Sequence, residues 1–411
     1  MLDKKIPVKK ILFISYGGGH VNALLPVYKK LISDKQYECC YLALTTASQI
    51  LKNNELPFLG FRDLVDNNNS HALEVGRNFI GQEQQNSIVP IDESIAYMGL
   101  SYCDLVDDLG EQKAKAIYEI YGRQAFYPLN TLKRYFSKEK PDLVIATNSP
   151  RAERAAIDAA SQLSIPSVCV VDLFAIQEIS WIGLPGFASK VCVISDYVKD
   201  KMIASGRQHD ETVVTGNPAF DELSNYQNSE DVRAFRSTKK WLVTDKVVLW
   251  ASNIEPESHP YSDHNGDVLL PVKVEEELNK LVNTHPDIRV VIRPHPNDVR
   301  KPLIVSDRVE ISTQGDDLNA LLAAVDCVVV LSSTVGFQAA LLRKPLVNIK
   351  LSIFSRDAPY DEMGISMGVD HLEELNSTIL NALNHKPENC SLTAVGSATN
   401  NVINVIKDLL K

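Results

Sequence analysis

The sequence has little of what nucleic-acid-binding and membrane proteins require. Its 411 residues carry a formal net charge of −10, whereas binding to nucleic acid by phosphate neutralisation needs clustered Lys and Arg. No apolar run is long enough for a signal peptide or a membrane span. We therefore predict a cytoplasmic protein that does not bind nucleic acid, and we leave peripheral attachment to a membrane open.

Paired cysteines and metal-binding spacings are also missing. The seven cysteines are scattered and mostly lie inside apolar runs, which indicates buried, reduced thiols and not a disulfide framework. The sequence has no Cys-x-x-Cys or His-x-x-x-His spacing, no Walker loop and no Gly-x-Ser-x-Gly elbow. The sequence therefore predicts no metal site and no cofactor.

What the sequence does contain is a regular alternation of short β-rich apolar runs with longer helical patterns, which is typical of parallel βαβ units. Its length suggests two large domains. We predict an α/β protein with two Rossmann-like, doubly wound parallel sheets facing a central cleft. The N-terminal domain would cover 1–224, with a helical insertion at about 67–116, and the C-terminal domain 241–411. A polar linker would cover 225–240, and the final helix, 400–411, would cross back to the first domain.

The predicted strands form two series of five. The first series is 10–15, 38–43, 143–146, 167–171 and 190–194, and the second is 246–250, 289–292, 309–311, 327–331 and 346–349.

A glycine-rich turn follows the first strand. Gly17, Gly18 and Gly19 lie between this strand and a helical pattern, so the backbone can approach a ligand closely, and the helix N-terminus favours an anionic or hydroxylated group. The alternative is a tight turn without a ligand. His20, directly after the glycines, is predicted to lie at the mouth of the cleft and to contact substrate.

A second turn is formed by Gly216, Asn217 and Pro218. Glycine gives the backbone freedom, and proline biases the residue before it away from helix. A purely structural role would explain this turn, but its expected position at the bottom of the cleft makes Asn217 a candidate substrate-binding residue.

In the second series, the strand 289–292 continues into Arg293, Pro294, His295 and Pro296. Two prolines hold the chain extended around the histidine and fix its direction. A rigid His beside an Arg at the end of a parallel strand can bind a phosphate that gains charge as a sugar leaves, and His295 can also donate a proton to it. The alternative is a surface histidine in a proline-rich loop.

The strand 327–331 is followed by polar residues at the start of a helix. Helix capping alone would explain serine and threonine there, but the same hydroxyl and N–H groups can hold a phosphate. Because this segment and the His295 segment end strands of one sheet, a single ligand can meet both. The candidate binding residues of this segment are Ser332, Ser333, Thr334, Gly336 and Gln338.

Many acidic residues are candidates for a general base. They are Asp104, Asp107, Asp108, Asp172, Asp361 and Glu362. We favour Asp107 or Asp108, because they are predicted to lie in an irregular segment of the N-terminal domain that faces the donor.

Taken together, these motifs resemble the GT-B superfamily, which contains nucleotide-sugar glycosyltransferases and UDP-N-acetylglucosamine 2-epimerases. The resemblance implies two facing Rossmann-like domains, with the nucleotide sugar in the second. Where the epimerases carry an Asp after the third strand, this chain has Asn148, and where they carry a His after the first strand of the second domain, it reads Ala251-Ser252-Asn253. These departures argue against epimerisation.

The pairs His295-Pro296 and Ser332-Ser333 are similar to elements of bacterial sialyltransferases and related Kdo transferases. In those families the His and the hydroxyls hold the phosphate of a CMP-activated acidic sugar, and an acid near an Asp-Asp-Gly-like element acts as base. Residues 107–110, Asp-Asp-Leu-Gly, match that element with one residue inserted.

The hypothesis from sequence is a metal-independent glycosyltransferase. It would transfer a sugar from a nucleotide-activated donor, such as a CMP-nonulosonate or CMP-Kdo, to a surface-glycan or lipid-linked acceptor on the N-terminal domain. Two alternatives stay open: a UDP-N-acetylglucosamine 2-epimerase-like enzyme and a catalytically silent sugar-nucleotide-binding subunit.

Overall fold

The computed structural model describes residues 7–81, 88–259, 264–385 and 392–411. The chain divides into two compact units: unit 1 consists of Met1–Ala219 and Ser397–Lys411, and unit 2 of Phe220–Gly396. Within the described ranges, no helix combines the length and the apolarity needed to cross a membrane.

Unit 1 contains a sheet of six parallel strands in the order β2-β1-β3-β4-β5-β6. The central strands of this sheet are buried along their whole length, as expected when helices cover both faces of a parallel sheet. The strands are β1 (Lys9–Ser15), β2 (Tyr37–Ala43), β3 (Leu143–Ala146), β4 (Ser167–Val170), β5 (Lys190–Val193) and β6 (Thr212–Val214). The helices are α1 (Gly19–Ile32), α2 (Ala47–Asn53), α3 (Ala72–Arg77), α4 (Ile91–Leu109), α5 (Glu111–Tyr121), α6 (Leu129–Glu139), α7 (Ala152–Gln162), α8 (Ile179–Ile182), α9 (Asp196–Ala204) and, at the end of the chain, α15 (Ala398–Leu409).

Unit 2 repeats this architecture with a parallel sheet in the order β12-β11-β10-β7-β8-β9. Its strands are β7 (Lys246–Ala251), β8 (Ile288–Arg293), β9 (Val309–Ile311), β10 (Cys327–Val330), β11 (Leu346–Ile349) and β12 (Met367–Val369). Its helices are α10 (Ser229–Thr238), α11 (Leu270–Thr284), α12 (Leu318–Ala324), α13 (Val335–Leu341) and α14 (Leu375–Asn384). Short 3₁₀ turns lie at Phe61–Leu64, Gly122–Ala125, His209–Glu211, Pro218–Tyr226, Ser355–Asp357 and Leu372–Glu374.

The predicted α/β fold is confirmed, and all ten predicted strands are present with ends that differ by at most one residue. Two strands were missed, β6 and β12, which form one edge of each sheet. Each has only three residues, and so short an apolar run has no periodicity that separates a strand from a loop.

The predicted linker at 225–240 is wrong. Most of this segment is helix α10, and its Arg236 donates hydrogen bonds to the carbonyl oxygen of Ala324 and to the carboxylate of Asp326, both in unit 2. The segment is polar because α10 has no fully buried residue, so composition could not distinguish this exposed helix from a linker. Unit 2 therefore begins at Phe220 and ends at Gly396, and the C-terminal helix α15 belongs to unit 1.

The core of unit 1 includes that returning helix. Phe13, Tyr28 and Tyr41 form a fully buried aromatic group with ring centroids 5.0–5.7 Å apart. Val402 and Ile406 of α15 belong to the same buried cluster. Burying an aliphatic side chain of this size stabilises a protein by roughly 1.5–3 kcal/mol, so α15 contributes substantially to unit 1.

Each sheet reverses its strand order at one point. In unit 1 the reversal lies between β1 and β3, and in unit 2 between β7 and β10. In open α/β sheets, ligands bind beyond the carboxyl ends of the strands at this switch point. The loops after β1, β3, β7 and β10 are therefore the places to look for function.

Candidate functional site

A cavity of about 340 Å³ lies at the switch point of unit 1. Residues from the loops after β1 and β3 and from the first turns of α4 contribute to its lining. The polar side chains of the lining are Tyr16, His20, Thr45, Thr46, Glu93, Ser94, Tyr97, Arg123, Ser149 and Arg151.

The glycine-rich turn is shaped by its own packing. A Cβ atom on Gly17 would lie 1.8 Å from Oγ1 of Thr46, and Gly18 has a φ of +67°, in the region that favours glycine. Both glycines are therefore needed for the turn itself. Gly17 also lines the cavity, and contact of Gly17, Gly18 or Gly19 with substrate stays a prediction.

His20 is held by a chain of hydrogen bonds that leads to a buried carboxylate. Its Nδ1 lies 2.6 Å from Oγ1 of Thr147, and the Thr147 hydroxyl donates to Oε2 of Glu153. A hydroxyl has one hydrogen, so Thr147 must accept the bond from His20. The proton of the neutral imidazole therefore lies on Nδ1, which leaves Nε2 with a lone pair, and no described residue hydrogen-bonds Nε2.

Glu153 is fully buried and joins the loops after β1 and β3. Its carboxylate accepts hydrogen bonds from the backbone N–H groups of Tyr16 (2.6 Å), Thr147 (3.0 Å) and Ser149 (3.3 Å). Burial raises the pKa of Glu153, while the nearby His20 and the hydrogen bonds lower it. The three backbone donors directed at its two oxygens oppose this rise, and the carboxylate that exists above the raised pKa can stabilise positive charge on His20.

The Asn217 side chain makes structural contacts, and the substrate-binding role predicted for it stays a prediction. The side chain is buried; its Nδ2 donates to the carbonyl oxygen of Asp172 (2.5 Å), and its Oδ1 accepts from the N–H of Ala219 (2.9 Å). Asn148, also buried, accepts the N–H of Asp172 at 3.0 Å. These amides tie the loops after β3, β4 and β6 together.

The structure does not bring Asp107 and Asp108 to the cavity at His20. They belong to a regular helix, α4, and not to the irregular segment that was predicted, and Asp108 accepts a hydrogen bond from Asn130. The last α4 residue that lines the cavity is Met98, and at 1.5 Å per residue Asp107 lies about 14 Å further along the helix. The sequence did not indicate a regular helix here, because polar residues precede this segment.

Asp172 lies beside the glycine-rich turn, with its carboxylate 3.5 Å from the position of a Cβ on Gly19, and two of the other acidic candidates are engaged elsewhere. Asp104 is buried and accepts hydrogen bonds from the backbone and hydroxyl of Thr131, and Asp361 forms an ion pair with Lys350 at 3.0 Å. In the part of the chain that the structure describes, no three His, Cys, Asp or Glu side chains are grouped so that they could hold a metal ion.

In unit 2, His295 is held in the opposite tautomer to His20. The backbone N–H of Asn297 donates to Nδ1 of His295 at 3.2 Å, so the proton of the neutral ring lies on Nε2. No described residue hydrogen-bonds this Nε2. The ring is half-buried, and it can donate a hydrogen bond to a ligand.

The arginine beside it points away from the switch point. Arg293 donates to Oγ of Ser312 (2.9 Å) and to the carbonyl oxygen of Asp316 (3.2 Å), which follow β9. The carbonyl oxygen of Pro296 accepts a hydrogen bond from Gln314. Arg293 and Pro296 thus fix the His295 loop to the loop after β9, and their contact with a phosphate stays a prediction.

The hydroxyl residues after β10 share an edge of the sheet with His295. Strand β7 pairs with β10 on one side and β8 on the other, and Ala251 is in register with both Val330 and Arg293. The ends of β8 and β10 are therefore two strand spacings, about 10 Å, apart. This is the arrangement that the sequence predicted for the two segments.

Helix capping does not account for these hydroxyls. Thr334 precedes α13 but makes no capping hydrogen bond, and Ser333 Oγ accepts from the N–H of Val335 at a long 3.4 Å. The Ser332 hydroxyl bonds to no described residue. Gln338 lies half-buried within α13. The hydroxyls of Ser332 and Thr334 are thus available to a ligand.

Gly336 is buried by packing, and its contact with a ligand stays a prediction. A Cβ atom there would lie 3.0 Å from the ring of Tyr360 and 3.1 Å from Val330, and the Tyr360 hydroxyl donates to the carbonyl oxygen of Ser333. We expect Gly336→Ala to lower the free energy of unfolding by about 1–3 kcal/mol, because the added methyl overpacks this contact. Urea denaturation measures the change.

Gly315→Ala is the matched control for this substitution, since its Cβ would meet only Oγ1 of Thr313 at 3.6 Å. If the two variants lose the same stability, the packing argument for Gly336 is wrong.

The sequence analysis missed the most informative residues of unit 1. Thr147 and Glu153 orient His20, and Arg123 and Arg151 line its cavity. Glu153 lies in the first turn of α7, where acidic residues are common for electrostatic reasons alone. Its burial and its partners depend on tertiary structure.

Comparison with known proteins supports the fold. Residues 270–365 match the family model described as capsule polysaccharide biosynthesis protein. A search of curated proteins found no match. The similar solved structures share the two-sheet architecture of the GT-B fold.

Two of these structures are UDP-N-acetylglucosamine 2-epimerases. The enzyme of Neisseria meningitidis, bound to UDP-N-acetylglucosamine, is 15% identical, with a TM-score of 0.59, and the alignment covers 97% of this chain and 100% of that one. The Methanocaldococcus jannaschii enzyme is 14% identical, with a TM-score of 0.57 and coverage of 97% and 99%. A third, the glycotransferase of kitacinnamycin, is 12% identical, with a TM-score of 0.56 and coverage of 98% and 100%.

Proposed function

We propose that this protein is a metal-independent glycosyltransferase that binds a nucleotide-activated sugar in unit 2 and an acceptor hydroxyl in unit 1. One observation carries the proposal: His20 and His295 are held in opposite tautomers, with an unprotonated Nε2 in unit 1 and a protonated Nε2 in unit 2. Transfer of a sugar to a hydroxyl needs a base for the acceptor and a hydrogen-bond donor for the leaving phosphate.

His20 takes the role of base that the sequence suggested for Asp107 or Asp108. Its Nε2 accepts the proton of the acceptor hydroxyl while the oxygen bonds to the anomeric carbon of the donor sugar. The imidazolium that forms keeps its Nδ1–H bond to Thr147, and the Glu153 carboxylate behind Thr147 stabilises the positive charge.

Residues at the carboxyl end of the sheet in unit 2 stabilise the leaving phosphate. As the bond between the anomeric carbon and the phosphate oxygen breaks, negative charge develops on the phosphate. The Nε2–H of His295 donates to that phosphate, and the hydroxyls of Ser332 and Thr334 bind its other oxygens. Donors that are already oriented stabilise such charge without reorganisation.

We also propose the chemical class of the donor and of the acceptor. The match to a capsule polysaccharide biosynthesis model and the sequence resemblance to transferases of CMP-activated acidic sugars support a CMP-nonulosonate or CMP-Kdo donor and a glycan or lipid-linked acceptor. The cytoplasmic location, with peripheral membrane attachment, stays a prediction.

A thermal-shift screen with CMP, UDP, GDP and TDP tests whether a nucleotide binds. A ligand at 100 times its Kd stabilises the folded state by about 2.7 kcal/mol, so one nucleotide should raise Tm by several degrees, and we expect CMP. The Ser332→Ala/Thr334→Ala variant should lose most of this shift. If none of the four nucleotides changes the Tm of the wild-type protein, the proposal fails.

The second candidate is a 2-epimerase-like enzyme, which is favoured by the fold shared with the two epimerases above. Against it stands Asn148, whose amide oxygen is occupied by the N–H of Asp172 and which cannot act as a base. Incubation with UDP-N-acetylglucosamine alone separates the two, because an epimerase needs no acceptor. Epimerisation of the sugar without an acceptor would contradict the glycosyltransferase proposal and favour the epimerase.

A further inference from the structure

We infer that the cavity at His20 binds a hydroxylated ligand that carries an anionic group, either a carboxylate or a phosphate. The identification of this ligand as the acceptor rests on the proposed function. The binding of an anion to the cavity does not, because it follows from the charges that line the cavity.

Two arginines provide the positive charge. Arg123 and Arg151 line the same cavity as His20, and neither forms an ion pair with an acidic side chain in the described part of the chain. The guanidinium carbon of Arg151 lies 5.4 Å from the centroid of the Tyr16 ring, which holds the side chain by a cation–π contact. In a chain with a net charge of −10, this is a local excess of positive charge.

Two acidic groups at the cavity are already engaged, and a third, Asp172, lies outside the lining, with its carboxylate 3.5 Å from the position of a Cβ on Gly19. Glu93, the acidic residue in the lining, is 6% exposed, and its carboxylate accepts the backbone N–H groups of Phe61 (2.6 Å) and Arg62 (3.1 Å). Burial also raises the pKa of Glu93. Glu153 lies behind Thr147 and is fully buried. Neither carboxylate neutralises the arginines by direct contact.

The remaining lining fits a sugar. The hydroxyls of Tyr16 and Tyr97 lie 3.1 Å apart, and Ser149 adds a third hydroxyl. A volume of about 340 Å³ is at the lower end of the range for small-ligand sites. A ring bearing hydroxyls and one charged substituent, such as an acidic monosaccharide or a sugar phosphate at the end of a longer acceptor, matches these groups.

Ligand-detected NMR titrations of the full chain test this inference with three probes that share one ring: methyl glucoside, methyl glucuronide and methyl glucoside 6-phosphate. We expect both charged probes to bind more tightly than the neutral one, and the tighter of the two identifies the anion as carboxylate or phosphate. Arg151→Gln and Arg123→Gln should each weaken binding of that probe about tenfold and leave the neutral probe unchanged.

The control is Arg77→Gln, because Arg77 is exposed and outside the cavity lining, and it should not alter any of the three affinities. Arg123 is exposed, so its replacement tests the charge even if the Arg151 variant loses stability with its Tyr16 contact. Equal affinity for charged and neutral probes, or loss of binding in the Arg77 variant alone, overturns the inference. Nucleotide binding measured on the same samples shows separately whether the proposed function fails.

Discussion

Replacement of His295 by alanine is expected to lower kcat for sugar transfer by about 10³-fold, within the range found for a residue that assists a leaving group. The substitution removes the Nε2–H that the Asn297 N–H directs outward by occupying Nδ1. Without it, the leaving phosphate develops its charge against the serine and threonine hydroxyls alone. A steady-state assay of nucleotide release in the presence of acceptor measures the effect.

Asn297→Ala is the matched control, because Asn297 contacts His295 through its backbone and its side chain is exposed. This variant should retain nearly full activity, and both variants should have the urea midpoint of the wild-type protein. A His295→Ala enzyme that turns over at the wild-type rate would end the assignment of His295 and, with it, the two-histidine mechanism.

We expect Glu153→Gln to lower both the stability of unit 1 and the catalytic activity. Both carboxylate oxygens accept backbone N–H groups, and a glutamine can offer only one oxygen, so the buried N–H of Tyr16 or those of Thr147 and Ser149 lose their acceptor. We expect a loss of about 2 kcal/mol in the free energy of unfolding. Activity should fall at least tenfold, because glutamine lacks the negative charge that stabilises the His20 imidazolium. Nucleotide affinity in unit 2 should be unchanged.

The same substitution has a defined pH dependence. Burial raises the pKa of Glu153 above the 4.5 of an exposed glutamate, so the folded protein binds this proton more tightly than the unfolded chain does. The stabilisation from the bound proton is therefore complete below pH 4.5 and is lost as the pH rises through the folded-state pKa. The stability advantage of the wild type over Glu153→Gln should shrink across that window.

Urea denaturation at a series of pH values measures this advantage. Glu119→Gln, at an exposed position of α5, should stay within about 0.5 kcal/mol of the wild type throughout. An advantage that grows with pH would contradict this expectation, because it would show that folding lowers the pKa of Glu153.

The sequence predicted what depends on local pattern. The alternation of apolar runs and helices identified both sheets, and prolines on both sides of His295 indicated a constrained imidazole. The pairing of that segment with Ser332 and Ser333 followed from the rule that parallel strands end at one edge. None of these inferences depends on tertiary contacts with residues from elsewhere in the chain.

The parts that failed depend on tertiary contacts. The acids at 107 and 108 were conspicuous in sequence but lie on a helix far from the cavity, whereas Glu153 is unremarkable in sequence and becomes a central group only because the loop after β1 folds onto α7. Asn217 was selected for its turn and Gly336 for its place in the segment after β10, and the internal contacts of both depend on tertiary structure.

The return of α15 to unit 1 has a consequence for how the protein is made. Unit 2 is one continuous stretch of chain, so it can fold as soon as residues 220–396 have left the ribosome. Unit 1 lacks Val402 and Ile406 of its core until translation has passed residue 406. We therefore expect the C-terminal half to mature first during synthesis, and any premature stop after residue 396 to spare unit 2 and leave the N-terminal half incomplete.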